Sequence, residues 1–457
     1  MKRSNQMMLE GPLFPSIVSY TIPIILTSLL QLLFNAADLV VVGQFCGSVS
    51  VAAVGATGSL TGLMVNFFIG LSMGAGVAVA HGLGGREDRE VSNTVHTALP
   101  LALVSGLILT VVGVSFSRTF LGWMGTPENV LPLSAVYMKI YFSGVIFTVV
   151  YNFSSAILRA AGDTKSPLVY LLIAGVVNVV LNVFFVRVFH MNVAGVALAT
   201  IISQGISAVL VTLALCRRKD ACQLDLKALR CDVPQLMKMI RIGMPAGIQS
   251  SLFAISNVII QSSINSFGDV FMSGSAAAGN IEGFVYTSMN AFHQTAVNFI
   301  GQNTGAGKYD RIRKTYWICA GCVTAVGLIL GNLVCLFGRR LLSIYITDSP
   351  QAIADGLIRL YYICMPYFVC GLMDVTTGAL RGMGSSFEPM VISILGVCGL
   401  RILWIYTIFR VPRFHTPQCL FFSYLLSWVV TFLIEMLVFF RVYRRQAALA
   451  GNKGKTT

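Results

Sequence analysis

Twelve long apolar runs, joined by short polar connections, decide what this chain can fold into. They fall near residues 15–42, 52–80, 93–116, 131–157, 167–188, 194–216, 240–266, 276–302, 315–337, 352–380, 389–410 and 416–440. A helix crosses a bilayer core of about 30 Å with about 20 apolar residues, and each run supplies that. In hydrocarbon every backbone N–H and C=O must be satisfied within the segment, so runs of this length read as helices. Several exceed 25 residues, which implies tilt or kinks. Pro23 and Pro245 lie inside the first and seventh runs, where a missing N–H and a ring clash bend a helix. Only 11% of the 457 residues are charged, against about 25% in soluble domains. Soluble, disordered and nucleic-acid-binding readings fail on that figure. The 43 glycines suit membrane helices that approach closely.

Charge placement gives the orientation. With both termini inside, 23 of the 32 lysines and arginines fall on inner segments and eight on outer segments or outer helix ends; Arg401 lies within a run. This positive-inside bias predicts cytoplasmic termini and an even number of spans. The net charge of +14 therefore reports membrane topology and not a nucleic-acid partner. The first run is too long for the core of a cleavable signal peptide. Eleven cysteines give no disulfide framework, and Cys319-x-x-Cys322 sits in an apolar run without histidines. Neither a metal site nor a cofactor is expected.

The two halves repeat each other. A shift of 222 positions without gaps places Pro23 on Pro245, Ser28 on Ser250 and Asn35 on Asn257. It also places Asp88-Arg89 on Asp310-Arg311, Leu158-Arg159 on Leu380-Arg381, Gly162 on Gly384 and Pro167 on Pro389. Composition bias does not align rare Pro, Asn, Asp and Arg in one register. Six spans per copy is even, so the copies are parallel repeats, an arrangement that places a substrate path between lobes near the midplane. The expected fold is an all-α polytopic membrane protein of twelve transmembrane helices in two pseudo-symmetric six-helix lobes. Residues 1–216 form the first lobe, 217–239 a cytoplasmic linker, 240–440 the second lobe and 441–457 a basic tail.

Some of these segments also resemble a known family. Asn35-Ala-Ala-Asp38 with Val42-Gly43 is similar to the first-helix motif of multidrug and toxic compound extrusion (MATE) transporters. Leu158-Arg-Ala-Ala-Gly-Asp163, Leu380-Arg-Gly-Met-Gly384 and Gly301-Gln-Asn-Thr-Gly-Ala306 resemble motifs after the fourth, tenth and eighth helices. The resemblance covers essentially the whole chain. It implies a V-shaped pair of lobes and export of organic, often cationic, compounds against inward proton or sodium flow. The first-helix aspartate places the chain nearest the DinF-like branch.

The repeat separates shared structure from local chemistry. Asp38 falls on Ile260, Asn178 on Leu400, Asn182 on Trp404 and Thr200 on Phe422, so four polar residues of the first lobe face four apolar counterparts. Asn178 and Asn182 share a helix face at i, i+4. One carboxylate with amide and hydroxyl oxygens suits a proton or a small hard cation, and an intramembrane acid marks function by default. The alternative is a carboxylate that merely ties helices together. The resemblance implies a first-helix aspartate and a polar cluster on helices five and six; many relatives have a carboxylate where Asn182 stands. A proton is therefore favoured over sodium.

Asn35, Asn152, Asn257, Glu282, Asp374 and Arg401 are candidates for lining a substrate cavity. Asp374 either attracts a cation, carries a second proton or forms an ion pair with Arg401, since a buried arginine usually has a carboxylate partner. Glu435, near the expected end of its run, reads as solvated. Asp88, Arg89, Arg159, Asp310, Arg311 and Arg381 read as structural or gating residues, with Arg159 and Arg381 at equivalent helix ends, where arginine can cap carbonyls and meet head groups.

No catalytic constellation appears: the five histidines are dispersed, and HExxH and a partnered GxSxG are missing. A channel needs no coupling carboxylate confined to one lobe. A lipid-linked precursor flippase of the same wider superfamily is the alternative, although such flippases often carry extra spans and a strongly cationic cavity. The reading is a monomeric cell-membrane antiporter for small organic substrates, working by alternating access.

Overall fold

A computed structural model describes residues 7–347 and 349–453. Its helices run in chain order as α1 (Leu13–Cys46), α2 (Ser48–Gly85), α3 (Asp88–Trp123), α4 (Leu131–Ser143), α5 (Val145–Ala160), α6 (Lys165–Arg187), α7 (Asn192–Cys216) and α8 (Val233–Asn265). The second half continues with α9 (Asp269–Gly305), α10 (Tyr309–Tyr345), α11 (Pro350–Cys364), α12 (Tyr367–Gly382), α13 (Phe387–Ser393), α14 (Leu400–Tyr406) and α15 (Pro417–Lys453). Among the described residues there is no strand. Among the described residues nine segments are long and apolar enough to cross a membrane, and two bent pairs, α4/α5 and α11/α12, raise that to eleven. The twelfth expected run is α9, which fails on hydropathy because His293, Thr295, Asn298, Gln302 and Asn303 are on it. Those side chains are buried in protein, where hydrogen bonds replace water.

The runs at 131–157 and 352–380, both longer than 25 residues, are the bent pairs. They bend by 46° and 43°, and their breaks contain Gly144 and Pro366, which are repeat partners. Proline clashes with the preceding turn. Glycine answers a close approach: a Cβ on Gly144 would lie 2.3 Å from Ile201 Cγ2. The repeated Leu-Arg-x-x-Gly motif is a helix stop. Gly162 and Gly384 take φ of 84° and 85°, a region that glycine enters without strain. Asp163 N donates to Leu158 O at 2.9 Å and Ser385 N to Leu380 O at 3.0 Å, so each copy closes with a Schellman-type bond.

The two compact units are Ile22–Ser251, and Met7–Thr21 with Leu252 onward. Helices α1 and α8 each begin in one unit and finish in the other. In the first unit, Gly70 and Gly74 of α2 meet Gly247 and Gly243 of α8, where a Cβ on Gly70 would lie 2.3 Å from Gly247 N. This is paired small-xxx-small packing. In the second unit, Arg311 donates to Met8 O at 3.1 Å and Gly11 O at 2.7 Å, and Thr21 Oγ1 meets Thr295 Oγ1 at 2.8 Å.

The polar connection is shorter than expected, because α8 starts at Val233. It is strapped to α3 within the first unit. Asp225 N donates to His96 Nε2 at 3.1 Å, Asp232 N to Thr97 Oγ1 at 3.0 Å and Asn93 Nδ2 to Asp232 Oδ2 at 2.6 Å. Cys222 is fully buried there, and burial pushes its thiol up to about 12. Of the expected tail, 441–453 is the helical continuation of α15, and 454–457 lie outside the described residues.

Candidate ion-coupling site

Four helices of the first unit bring the first-lobe polar residues together. α1 presents Asp38, α6 presents Asn178 and Asn182 one turn apart, α7 presents Thr200, and α4 brings Tyr137 close to the carboxylate. Asn182 Nδ2 donates to Asp38 Oδ1 at 2.5 Å and to Asn178 Oδ1 at 3.2 Å. Thr200 faces the same carboxylate and donates to Val196 O in its own helix at 2.9 Å. Asp38, Asn178 and Asn182 are 8%, 3% and 0% exposed. Asn182 Oδ1 is buried without a hydrogen-bond partner among the described residues.

Packing explains how α1 comes this close to α6. One turn before the polar pair, a Cβ on Gly175 would lie 1.8 Å from Phe34 Cζ. The Phe34 ring therefore seats directly on α6. One turn beyond the polar residues, Val42, Val186 and Val196 join a buried apolar cluster with Tyr137. The carboxylate thus lies against an apolar layer, where an electrostatic interaction is stronger than in water. Sequence comparison missed Tyr137; its repeat partner, Arg359, was the available signal.

The second-lobe candidates divide into separate clusters. Glu282 forms an ion pair with Arg359, with Oε2 accepting from Nε at 3.0 Å and Nη2 at 2.9 Å. Tyr367 Oη donates to Glu282 Oε1 at 3.1 Å, and Arg359 Nη1 to Ser275 Oγ at 3.0 Å. Arg359 lies inside the expected tenth run, yet position alone did not single it out. Asp374 faces Tyr286 and Asn290, with Arg381 close by. Of the readings open for Asp374, the ion pair with Arg401 does not form. Arg401 instead donates from Nε to Ser427 Oγ at 2.9 Å and lies over the rings of Tyr424 and Trp428.

Arg381 is buried and does not reach out from its helix end. Its Nη1 lies 3.4 Å from His293 Nε2. His293 Nδ1 is 2.6 Å from the Asp374 carbonyl, which can only accept, so Nδ1 holds the proton. Glu435 is fully buried, a correction to its reading as solvated. It accepts from Ser393 Oγ at 2.7 Å and Thr377 Oγ1 at 2.9 Å. The reason is that α15 extends well past the expected end of its run, leaving position 435 mid-helix.

The remaining candidates are spread out. Asn35 and Asn257 are exposed. Asn152 is half-buried and donates to Thr148 O at 2.8 Å. Asp88 and Asp310 occupy the first turns of α3 and α10, where a negative charge complements the helix dipole. Arg89 is exposed and Arg159 half-buried.

Known proteins agree with this architecture. The family described as MatE matches residues 23–184 and again 245–407, so its two matches start 222 positions apart, as the repeat does. The chain is 27% identical over 391 residues to "Probable multidrug resistance protein YoeA" of Bacillus subtilis (strain 168), covering 84% of each. It is 24% identical to "Probable multidrug resistance protein NorM" of Thermotoga maritima, over 84% of this chain and 83% of the other. Among solved structures, one described as MATE in the bent conformation superimposes with a TM-score of 0.90 at 18% identity, covering 98% of this chain and 99% of the other.

Proposed function

The chain belongs to the MatE family, and from that premise we propose that it is a secondary active multidrug efflux antiporter of the cell membrane. It is a multi-pass membrane protein and not an enzyme. The names of its relatives, multidrug resistance proteins, support small organic compounds as cargo. We place it in the DinF-like branch on Asp38, with both termini cytoplasmic.

The observation that carries the coupling reading is the buried contact of Asn182 with Asp38. An ionised carboxylate only accepts, and the amide donates to it. A protonated Asp38 becomes a donor and can turn toward an acceptor such as Asn182 Oδ1, which has no other partner. Protonation thus exchanges one hydrogen-bond pattern for another between α1 and α6. That gives a proton different contacts in two conformations, as coupling requires. Sodium needs several oxygens to replace its hydration and gains from more negative charge, and this cluster has one carboxylate. We propose proton coupling by alternating access. The test is export from reconstituted vesicles with a pH gradient and a sodium gradient imposed separately. Export driven by the pH gradient alone is expected. Export driven by sodium and undiminished when the pH gradient is collapsed refutes the assignment.

A further inference from the structure

The first-lobe site does not use the buried charges of the second unit, and Arg401 is one of them. Arg401 is 5% exposed, and no carboxylate among the described residues pairs with it. One face of its guanidinium lies 4.0 Å from the Tyr424 ring centroid, with Trp428 at 5.6 Å. One edge is fixed by the Nε–H bond to Ser427. Of its five N–H donors, that is the one with a hydrogen-bond partner among the described residues. The groups that face Arg401 are Tyr424, Cys370, Cys398 and Tyr367, and the Glu282 bonded to Tyr367 is already engaged by Arg359. Burying an uncompensated charge is costly, and stacking on aromatic rings offsets part of that cost.

A second observation points to the same place. Residues Ile394–Gly399, directly before Arg401, form a π-helical turn. The repeat-equivalent stretch of α6 is unbroken α-helix. π-Turns inside helices are rare and concentrate at functional sites. This one occurs only in the copy that carries the arginine, whose repeat partner is Val179.

We infer that Arg401 is a binding point for an anionic group, a carboxylate, sulfonate or phosphate, of an organic compound, held by the unpartnered Nη1/Nη2 edge. Ring stacking and the Ser427 bond leave that edge as a fork suited to two oxygens. The inference rests on the exporter reading for the identity of the ligand as cargo. It extends the substrate class beyond cations to organic anions and zwitterions.

The test uses two xanthene dyes of opposite charge, fluorescein and rhodamine 6G. Binding to the purified full-length protein is read by fluorescence anisotropy in nanodiscs of neutral phosphatidylcholine. The wild type is expected to bind fluorescein, and the fluorescein-to-rhodamine affinity ratio to fall about 10- to 100-fold in R401Q. R401K is expected to retain part of the preference, and S427A to weaken it less than R401Q. If R401Q does not fold, an unchanged ratio in both R401K and S427A overturns the inference. An equal ratio in wild type and R401Q, or no fluorescein binding by the wild type, also overturns it. Displacement of fluorescein by added phosphatidylglycerol in the wild type assigns the site to a lipid head group and overturns the cargo assignment. Binding needs no gradient, so Arg401-dependent binding without gradient-driven export sinks the exporter reading while leaving this one intact.

Discussion

Removing Arg359 separates a structural role for Glu282 from a role as a free cavity carboxylate. The two side chains are 14% and 13% exposed. Glu282 accepts two bonds from the guanidinium and one from Tyr367. R359M strands a carboxylate that retains only the tyrosine. Breaking a buried pair on one side costs about 3–5 kcal/mol. Removing both charges with apolar residues of similar volume is often close to neutral, so E282L/R359M is expected to recover most of the loss. The coupling energy across the four proteins should then be at least about 3 kcal/mol, because each single variant leaves one charge stranded, well above the few tenths seen for independent sites. Equilibrium unfolding of purified protein in mixed micelles, followed by circular dichroism, measures each corner of the cycle. R359M within about 0.5 kcal/mol of wild type, or a double variant as unstable as the summed singles, refutes the lock.

Other consequences are independent of that pair. N182D adds a second carboxylate beside Asp38, and it is expected to make export respond to a sodium gradient; vesicle transport with sodium inside and outside in turn checks this. G175V forces the Phe34 ring off α6, costing about 1–3 kcal/mol of stability and lowering gradient-driven export, both readable on one purified sample. Cys222, with its thiol raised to about 12, holds about 10³-fold less thiolate at pH 7 than an ordinary thiol. Maleimide labelling near pH 7 followed by peptide mapping should find exposed Cys231 modified first and buried Cys222 modified far more slowly.

The apolar runs and the 222-residue register were legible because an apolar run of about 20 or more residues satisfies its backbone in hydrocarbon as a helix and the repeat states the pattern twice. The polar cluster was legible for a related reason: Asp38, Asn178, Asn182 and Thr200 lack polar counterparts, and helix spacing puts the two amides on one face. What escaped were features set by tertiary contact. Arg359 and Arg401 look alike in a hydrophobic run, and only the fold shows that one has a carboxylate and the other rings. Asp374 and Arg381 sit seven residues apart along one helix, yet their partners come from α9. The burial of Glu435 depended on where α15 ends, and apolarity fades before helicity does. The first part of α8 belongs to the first unit through glycines whose meaning lies in a neighbouring helix, and the first part of α1 to the second through Thr295.

The account stands or falls on Asp38. The direct measurement is dye export by D38N and wild type, reconstituted at matched density in vesicles carrying the same inward pH gradient. Asparagine keeps the side chain's size and removes the group that gains and loses the proton. The account predicts a folded, monodisperse D38N that still binds rhodamine 6G but shows no acceleration of export when the gradient is imposed. Gradient-driven export by D38N at the wild-type rate contradicts it.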